Sequence, residues 1–205
     1  MSIELKRLPA TLGCPARLNP LAVARTDAIP FQFAESGWEA ELEKLRRLKF
    51  RAAIIGPKGS GKTTLLEQLC SRLAGFERPL LLRRTPISKT DQASLLSETE
   101  RLASDSILLL DSAEQLSRGN QRILLKVVQA RNLGLVVTTH HPGFLPTWIE
   151  CRTNLELLHS LLGQLLPAQS TSWQLPANAA FHKHQGNIRE VFRELYDLYA
   201  SGDLA

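Results

Sequence analysis

Apolar positions along the chain alternate between two spacings. Short apolar runs occur at Arg51-Ala-Ala-Ile-Ile55, Pro79-Leu-Leu-Leu-Arg-Arg84, Ile107 to Asp111 and Leu135-Val-Val-Thr-Thr139, and they predict strands; a weaker strand is predicted near Asn154 to Leu157, ahead of a short leucine-rich helix. Between them the apolar residues recur at helical intervals. Trp38, Leu42, Leu45 and Leu48 make one stripe, opened by a capping box at Ser36-Gly-Trp-Glu39. Leu65, Leu66, Leu69, Cys70 and Leu73 make a second, with Gly75 placed to stop it. Ser88-Lys-Thr-Asp91 starts a third helix, and a fourth is predicted from about Arg118 to Arg131. Strands alternating with helices of this length predict βαβ units and a mainly parallel sheet covered on both faces.

The two ends of the chain break this rhythm. Residues 1 to about 35 read as an irregular arm punctuated by proline. Gly163 to Ala177 is rich in proline, serine and glutamine, which predicts a connection to a separate helical tail. In that tail Asn187-Ile-Arg-Glu190 is a capping box, and Ile188, Val191, Phe192, Leu195, Leu198 and Tyr199 form the apolar face of an amphipathic helix. The expected division is an arm and lead-in helix over 1–50, a core over 51–165, and a linker with a helical tail over 166–205.

Composition narrows the class. At 205 residues with 43% hydrophobic side chains, the chain has enough apolar material for one medium domain with a small appendage. Cys14, Cys70 and Cys151 lie far apart with no C-x-x-C pair, which argues against a zinc site or a disulfide framework and for reduced, cytoplasmic thiols. Charged residues and prolines interrupt the first twenty positions, so neither a secretory signal nor a membrane span is expected there, and no later run reaches spanning length. The net charge of +5 suits a polyanionic partner or a bound nucleotide equally.

The strongest chemical signal is Gly56-Pro-Lys-Gly-Ser-Gly-Lys-Thr63, a complete G-x-x-x-x-G-K-[ST] set between a predicted strand and a predicted helix. Glycines let successive backbone N–H groups converge on phosphate oxygens, and the following helix turns its positive end toward the same anion. Gly56, Pro57, Lys58, Gly59, Ser60, Gly61, Lys62, Thr63 and Thr64 are therefore the candidate nucleotide-binding residues. Lys62 is expected to reach the β and γ phosphates, and Thr63 to place its hydroxyl on Mg²⁺.

On these residues the chain resembles the P-loop NTPases. The resemblance implies a three-layer α/β/α sandwich with a mainly parallel sheet and a small C-terminal helical lid. It also implies an acidic metal-side residue at a strand end, which Asp111 supplies. The guanine motif N-K-x-D does not occur, so ATP with Mg²⁺ is the expected ligand. One extra strand between the P-loop and the Asp111 strand resembles the additional-strand ATPases, AAA+ proteins above all. That likeness implies a polar sensor after the next strand, where His140 stands beside Thr139, and a lid arginine, where Gly186-Asn-Ile-Arg189 offers Arg189. Arg118, Arg122 and Arg131 are candidates for a finger in a neighbour's site. Each of these also has a plain structural reading: loop histidines for His140 and His141, and helix-surface arginines for the others.

Leu108-Leu-Leu-Asp-Ser-Ala-Glu-Gln-Leu116 raises the question of turnover. The resembling families usually carry a water-orienting glutamate right after the strand aspartate, but here that residue is Ser112 and the nearest carboxylate is Glu114. Glu114 either reaches back to the water or sits in a capping box, Ser112-Ala-Glu-Gln115, or does both. The expected catalytic set is thus Lys62, Asp111, Glu114, His140 and Arg189, with Thr63 and Asp111 at the metal. The leading expectation is an ATPase of AAA+ type that turns over slowly or on stimulation. The alternatives are an ATP-gated adaptor that does not hydrolyse and a small-molecule kinase using Arg83 or Arg84 on an acceptor. Expected partners are a second copy assembled on ATP, a protein, and nucleic acid on the basic run Lys44-Leu-Arg-Arg-Leu-Lys-Phe-Arg51, whose plain reading is a solvated helix face.

Overall fold

The computed structural model describes residues 18–33, 36–74, 79–85, 88–166 and 172–204. In chain order its elements are α1 (Val23–Thr26), α2 (Trp38–Arg47), β1 (Arg51–Ile55), α3 (Lys62–Leu73), β2 (Leu80–Arg84), α4 (Lys89–Glu100), β3 (Ile107–Asp111), a 3-10 turn (Ala113–Gln115), α5 (Arg118–Ala130), β4 (Gly134–Thr139), β5 (Thr147–Glu150), α6 (Leu155–Leu165), α7 (Gln174–Lys183) and α8 (Ile188–Ser201). Two units emerge: Pro30–Arg152, and the described parts of Met1–Ile29 and Thr153–Ala205 taken together. Cys14 and Gly75 lie outside the described residues.

In the first unit five parallel strands pair in the order β2-β3-β4-β1-β5. Side chains alternate across the sheet, as strand geometry demands. Ala52, Ile54, Ile107, Leu109 and Val136 pack on one face with Leu45 of α2 and Leu65, Leu66, Leu69 and Leu73 of α3. Ala53, Ile55, Leu108, Leu110, Leu135 and Val137 pack on the other with Leu95 and Leu96 of α4 and Leu124 and Val128 of α5. The arrangement is an α/β/α sandwich, and burial of each large aliphatic side chain stabilises it by about 1.5–3 kcal/mol.

Strand and cap predictions fare differently. β1 and β3 have the expected bounds, and Ser88 caps α4 by accepting from the Asp91 N–H at 3.1 Å. By contrast, α2 takes Gly37 as its N-cap with no side-chain cap, so the box at Ser36 does not form. The expected strand at Asn154 to Leu157 is instead the start of α6, where Asn154 Oδ1 accepts from the Leu157 N–H at 2.7 Å. The fifth strand lies earlier, at Thr147–Glu150, and its buried Trp148 donates Nε1–H to the Glu41 carbonyl at 3.0 Å.

The second unit is helical. Leu158 and Leu162 of α6, Ala177 and Ala180 of α7, and Ile188, Val191 and Leu195 of α8 share one core with Leu21, Trp173 and Leu204. Asn19 Nδ2 donates to the Tyr196 carbonyl at 3.0 Å, tying the residues before α1 to α8. The connection expected over Gly163 to Ala177 is helical at both ends, in α6 and α7. At the predicted box, Asn187 Oδ1 accepts from the Glu190 N–H at 3.4 Å. Gly186 precedes it with φ +80, and a Cβ there would stand 2.8 Å from Thr153 Oγ1. None of the helices of the described residues is long and apolar enough to cross a membrane.

Candidate functional site

β1 ends at Ile55, the chain curls through Gly56 to Gly61, and α3 begins at Lys62, so the N-terminus of α3 opens onto the loop. Gly56 is the tight point: its φ is +152, and a Cβ there would meet the Cys151 carbonyl oxygen at 2.4 Å. Ser60 Oγ donates to the Pro57 carbonyl at 2.8 Å and braces the curl. Lys62 is 9% exposed, and its Nζ donates to the carbonyls of Gly56 and Pro57, both at 2.8 Å. Those carbonyls hold the ammonium over the loop, where an anion seated on the backbone N–H groups would compete for it. Pro57 and Lys58 are exposed, while Thr63 and Thr64 are half-buried on the first turn of α3.

Asp111, at the end of β3, is 6% exposed and receives several donors. Thr63 Oγ1 lies 3.3 and 3.2 Å from its two carboxylate oxygens, and Thr138 Oγ1 donates to Oδ1 at 2.6 Å. The Ser112 N–H donates in turn to Thr138 Oγ1 at 2.7 Å. Arg84 Nε stands 3.6 Å from Oδ2 on a side chain 75% exposed. Sequence reasoning named Asp111 and Thr63 but not Thr138 as a partner; a buried threonine inside the apolar β4 run was the available signal.

Ser112 has φ 61 and ψ 44, and no side-chain cap forms, so the capping box at Ser112-Ala-Glu-Gln115 is absent. The left-handed residue turns the chain sharply after Asp111, and Glu114 Oε1 comes to lie 3.2 Å from His140 Nε2. His140 Nδ1 lies 3.4 Å from Lys62 Nζ and 3.3 Å from the Gly56 carbonyl. An ammonium offers no lone pair and a carbonyl no proton, so Nδ1 meets Lys62 as an acceptor or Gly56 as a donor, according to the tautomer of the ring. Lys62, His140 and Glu114 therefore form a connected row beside the loop. Next to it, burial pushes the Cys151 thiol up to about 12, against the opposing pull of Lys62.

No protein-family model matches the chain, and no curated protein matches it. Solved structures do. AMPPCP-bound DnaA from Aquifex aeolicus is 15% identical over 84% of this chain and 64% of that one, with a TM-score of 0.56. A DNA replication initiation factor is 14% identical over 78% and 59% of the two chains, with a TM-score of 0.52. This chain has the fold of the AAA+ ATPases. It spans roughly three-fifths of the length of those two structures, whose covered shares are 59% and 64%.

Set on the AAA+ fold, the remaining candidates fall in distinct places. Arg189 is exposed on the first turn of α8, in the helical unit, apart from the unit that holds Lys62, Asp111, Glu114 and His140. Arg118 and Arg122 are exposed on α5, whereas Arg131 donates to the Leu102 carbonyl at 2.7 Å. The basic run is largely engaged locally: Lys44 pairs with Glu41 at 2.7 Å, Arg46 and Arg47 with Glu43 at 3.7 and 3.3 Å, and Arg51 Nε donates to the Leu133 carbonyl at 2.9 Å. The three ion pairs lie along α2, at the i,i+3 and i,i+4 spacings of a solvated helix face, whereas Arg51 belongs to β1.

Proposed function

We propose that the chain binds Mg·ATP in the Gly56–Thr63 loop and hydrolyses it, slowly alone and faster with a partner, to switch between conformations. The observation that carries this reading is the row Lys62, His140 and Glu114, with contacts of 3.4 and 3.2 Å. The AMPPCP named in the DnaA structure supports a nucleoside triphosphate as the ligand.

Thr63 and Asp111 offer a hydroxyl and a carboxylate side by side, hard oxygen donors that suit Mg²⁺. When bound there, the ion would neutralise charge on the phosphate oxygens. Lys62 leaves its two carbonyl partners to take the β and γ phosphates, and the N–H groups at the start of α3 hold the chain of phosphates in place. Glu114 accepts a proton from a water in line with the γ-phosphate, and His140, with Nε2 3.2 Å from Oε1, orients that carboxylate. In its other contact His140 follows Lys62, so the position of the ammonium is transmitted to Glu114. Arg189 is assigned as the lid arginine that senses the nucleotide.

Ser112 favours a second reading, an ATP-gated adaptor without turnover, because its side chain cannot act as the water-orienting carboxylate. Phosphate release from purified chain with ATP, alone and with DNA or candidate proteins, separates the two. Turnover that disappears in Glu114→Gln while ATP binding persists supports hydrolysis; ATP recovered intact under every condition supports the adaptor.

A further inference from the structure

A cleft of about 330 Å³ opens beside Asp111, lined by Thr63, Leu66, Glu67, Leu82, Arg83, Arg84 and Asp111. Of the phosphate loop only Thr63 reaches it, so it is a neighbour of the nucleotide site and not part of the cradle. Its floor is apolar, from Leu66 and Leu82, and its polar wall comes from the end of β2, the edge strand of the sheet. Pockets of this size with a few convergent polar groups are the usual form of a small binding site.

The two arginines in it have different ties. Arg83 is held by both oxygens of Glu98 on α4, with Nε donating to Oε2 at 3.0 Å, a fork that does not involve Asp111. Arg84 is paired in register with Asp111 across β2 and β3, and among the described residues its ion-pair partner is Asp111, with Nε 3.6 Å from Oδ2. That oxygen belongs to the carboxylate a divalent ion would claim. A doubly charged cation outcompetes a mostly exposed guanidinium at such a contact, because surface ion pairs are individually weak. Arg84 would then face the cleft with its charge released.

Building on the Mg·ATP reading, we propose that this cleft is a second anion site, for a phosphate group outside the cradle, and that it is completed only when metal and nucleotide have taken Asp111 from Arg84. Planar guanidinium matches phosphate geometry, which makes phosphate the fitting anion. The group can belong to a nucleic-acid backbone or to free phosphate. Glu67, exposed on α3 and also lining the cleft, is the competing acceptor for the released arginine, and an Arg84–Glu67 pair would close the site.

The test first titrates Mg·AMPPCP into the full chain, then measures binding of a labelled single-stranded oligonucleotide by anisotropy and of inorganic phosphate by calorimetry, with and without that analogue. The expected result is anion binding roughly tenfold tighter with Mg·AMPPCP, the gain of one charge-assisted contact. Arg84→Gln should abolish the gain, and Glu67→Gln should enlarge it. A gain for the oligonucleotide alone assigns a nucleic-acid source, and a gain for both assigns phosphate in general. Normal analogue binding with no gain, or the same gain in Arg84→Gln, overturns this inference and leaves the nucleotide reading standing. Failure of the analogue to bind overturns both.

Discussion

His140 Nε2 lies 3.2 Å from Glu114 Oε1, and the same ring reaches Lys62 with its other nitrogen at 3.4 Å. A carboxylate three positions beyond the strand aspartate thereby shares one row with the P-loop lysine.

If that row acts as a unit in hydrolysis, its members are not independent. Glu114→Gln should lower the turnover number by about 10²–10⁴-fold, the range for loss of a general base, while ATP affinity changes little. His140→Ala should lower it too, and the double variant should lose far less than the product of the two single losses. Multiplicative losses in steady-state phosphate release would show that the contact is incidental.

Lys62 spends its hydrogen bonds on the Gly56 and Pro57 carbonyls, both at 2.8 Å. Lys62→Ala therefore removes both a phosphate ligand and a brace of the loop. The expected outcome is at least about tenfold weaker ATP binding by calorimetry, since a charge-assisted bond is worth around 1.5–3 kcal/mol. Unchanged affinity would contradict the phosphate cradle itself.

The Cys151 thiol is pushed up to about 12 by burial, and its carbonyl packs against Gly56. At pH 8 it should resist iodoacetamide in the native protein and react once the chain is unfolded in guanidinium, as peptide mapping by mass spectrometry would show. The sign for stability follows from the thiol ionising first in the unfolded chain, near its ordinary value of 9.0: this contribution is present below about pH 9 and declines above it.

In the helical unit Glu194 accepts from Lys183 Nζ at 2.8 Å and from His184 Nε2 at 2.6 Å, and these bonds hold its carboxyl below the ordinary 4.5. A depressed carboxylate stabilises the fold above its unfolded value, and the contribution disappears as pH falls through the folded value. Thermal melts should show Glu194→Gln less stable than the parent at pH 7, with the gap narrowing below about pH 4.5. A gap that stays constant down to pH 3 would rule out the carboxylate as its source.

Much of the sheet unit was legible because its signals are local. Four unbroken apolar runs set β1 to β4, and the glycine-lysine-threonine loop is contiguous, so spacing alone located it. β5 was not legible: only Trp148 of its four residues is buried, too few to show a period, while Asn154-Leu-Glu-Leu157 offered a false strand whose asparagine is a helix cap. Within the site, the pairing of Glu114 with His140 depends on a left-handed Ser112 that no residue preference announces. The contact of Arg84 with Asp111 depends on sheet register, which joins residues far apart in the chain.

Leu21 completes the helical core and Asn19 is tied to Tyr196, although more than a hundred residues of sheet unit intervene, Pro30–Arg152. Synthesis on the ribosome proceeds from the N-terminus, so the early residues must wait, unpartnered, while the sheet emerges. The sheet unit can close as soon as β5 is made, whereas the helical unit acquires its last apolar face only with α8. A nascent chain halted after residue 152 would carry every phosphate-loop residue and still lack the helices that shelter Leu21.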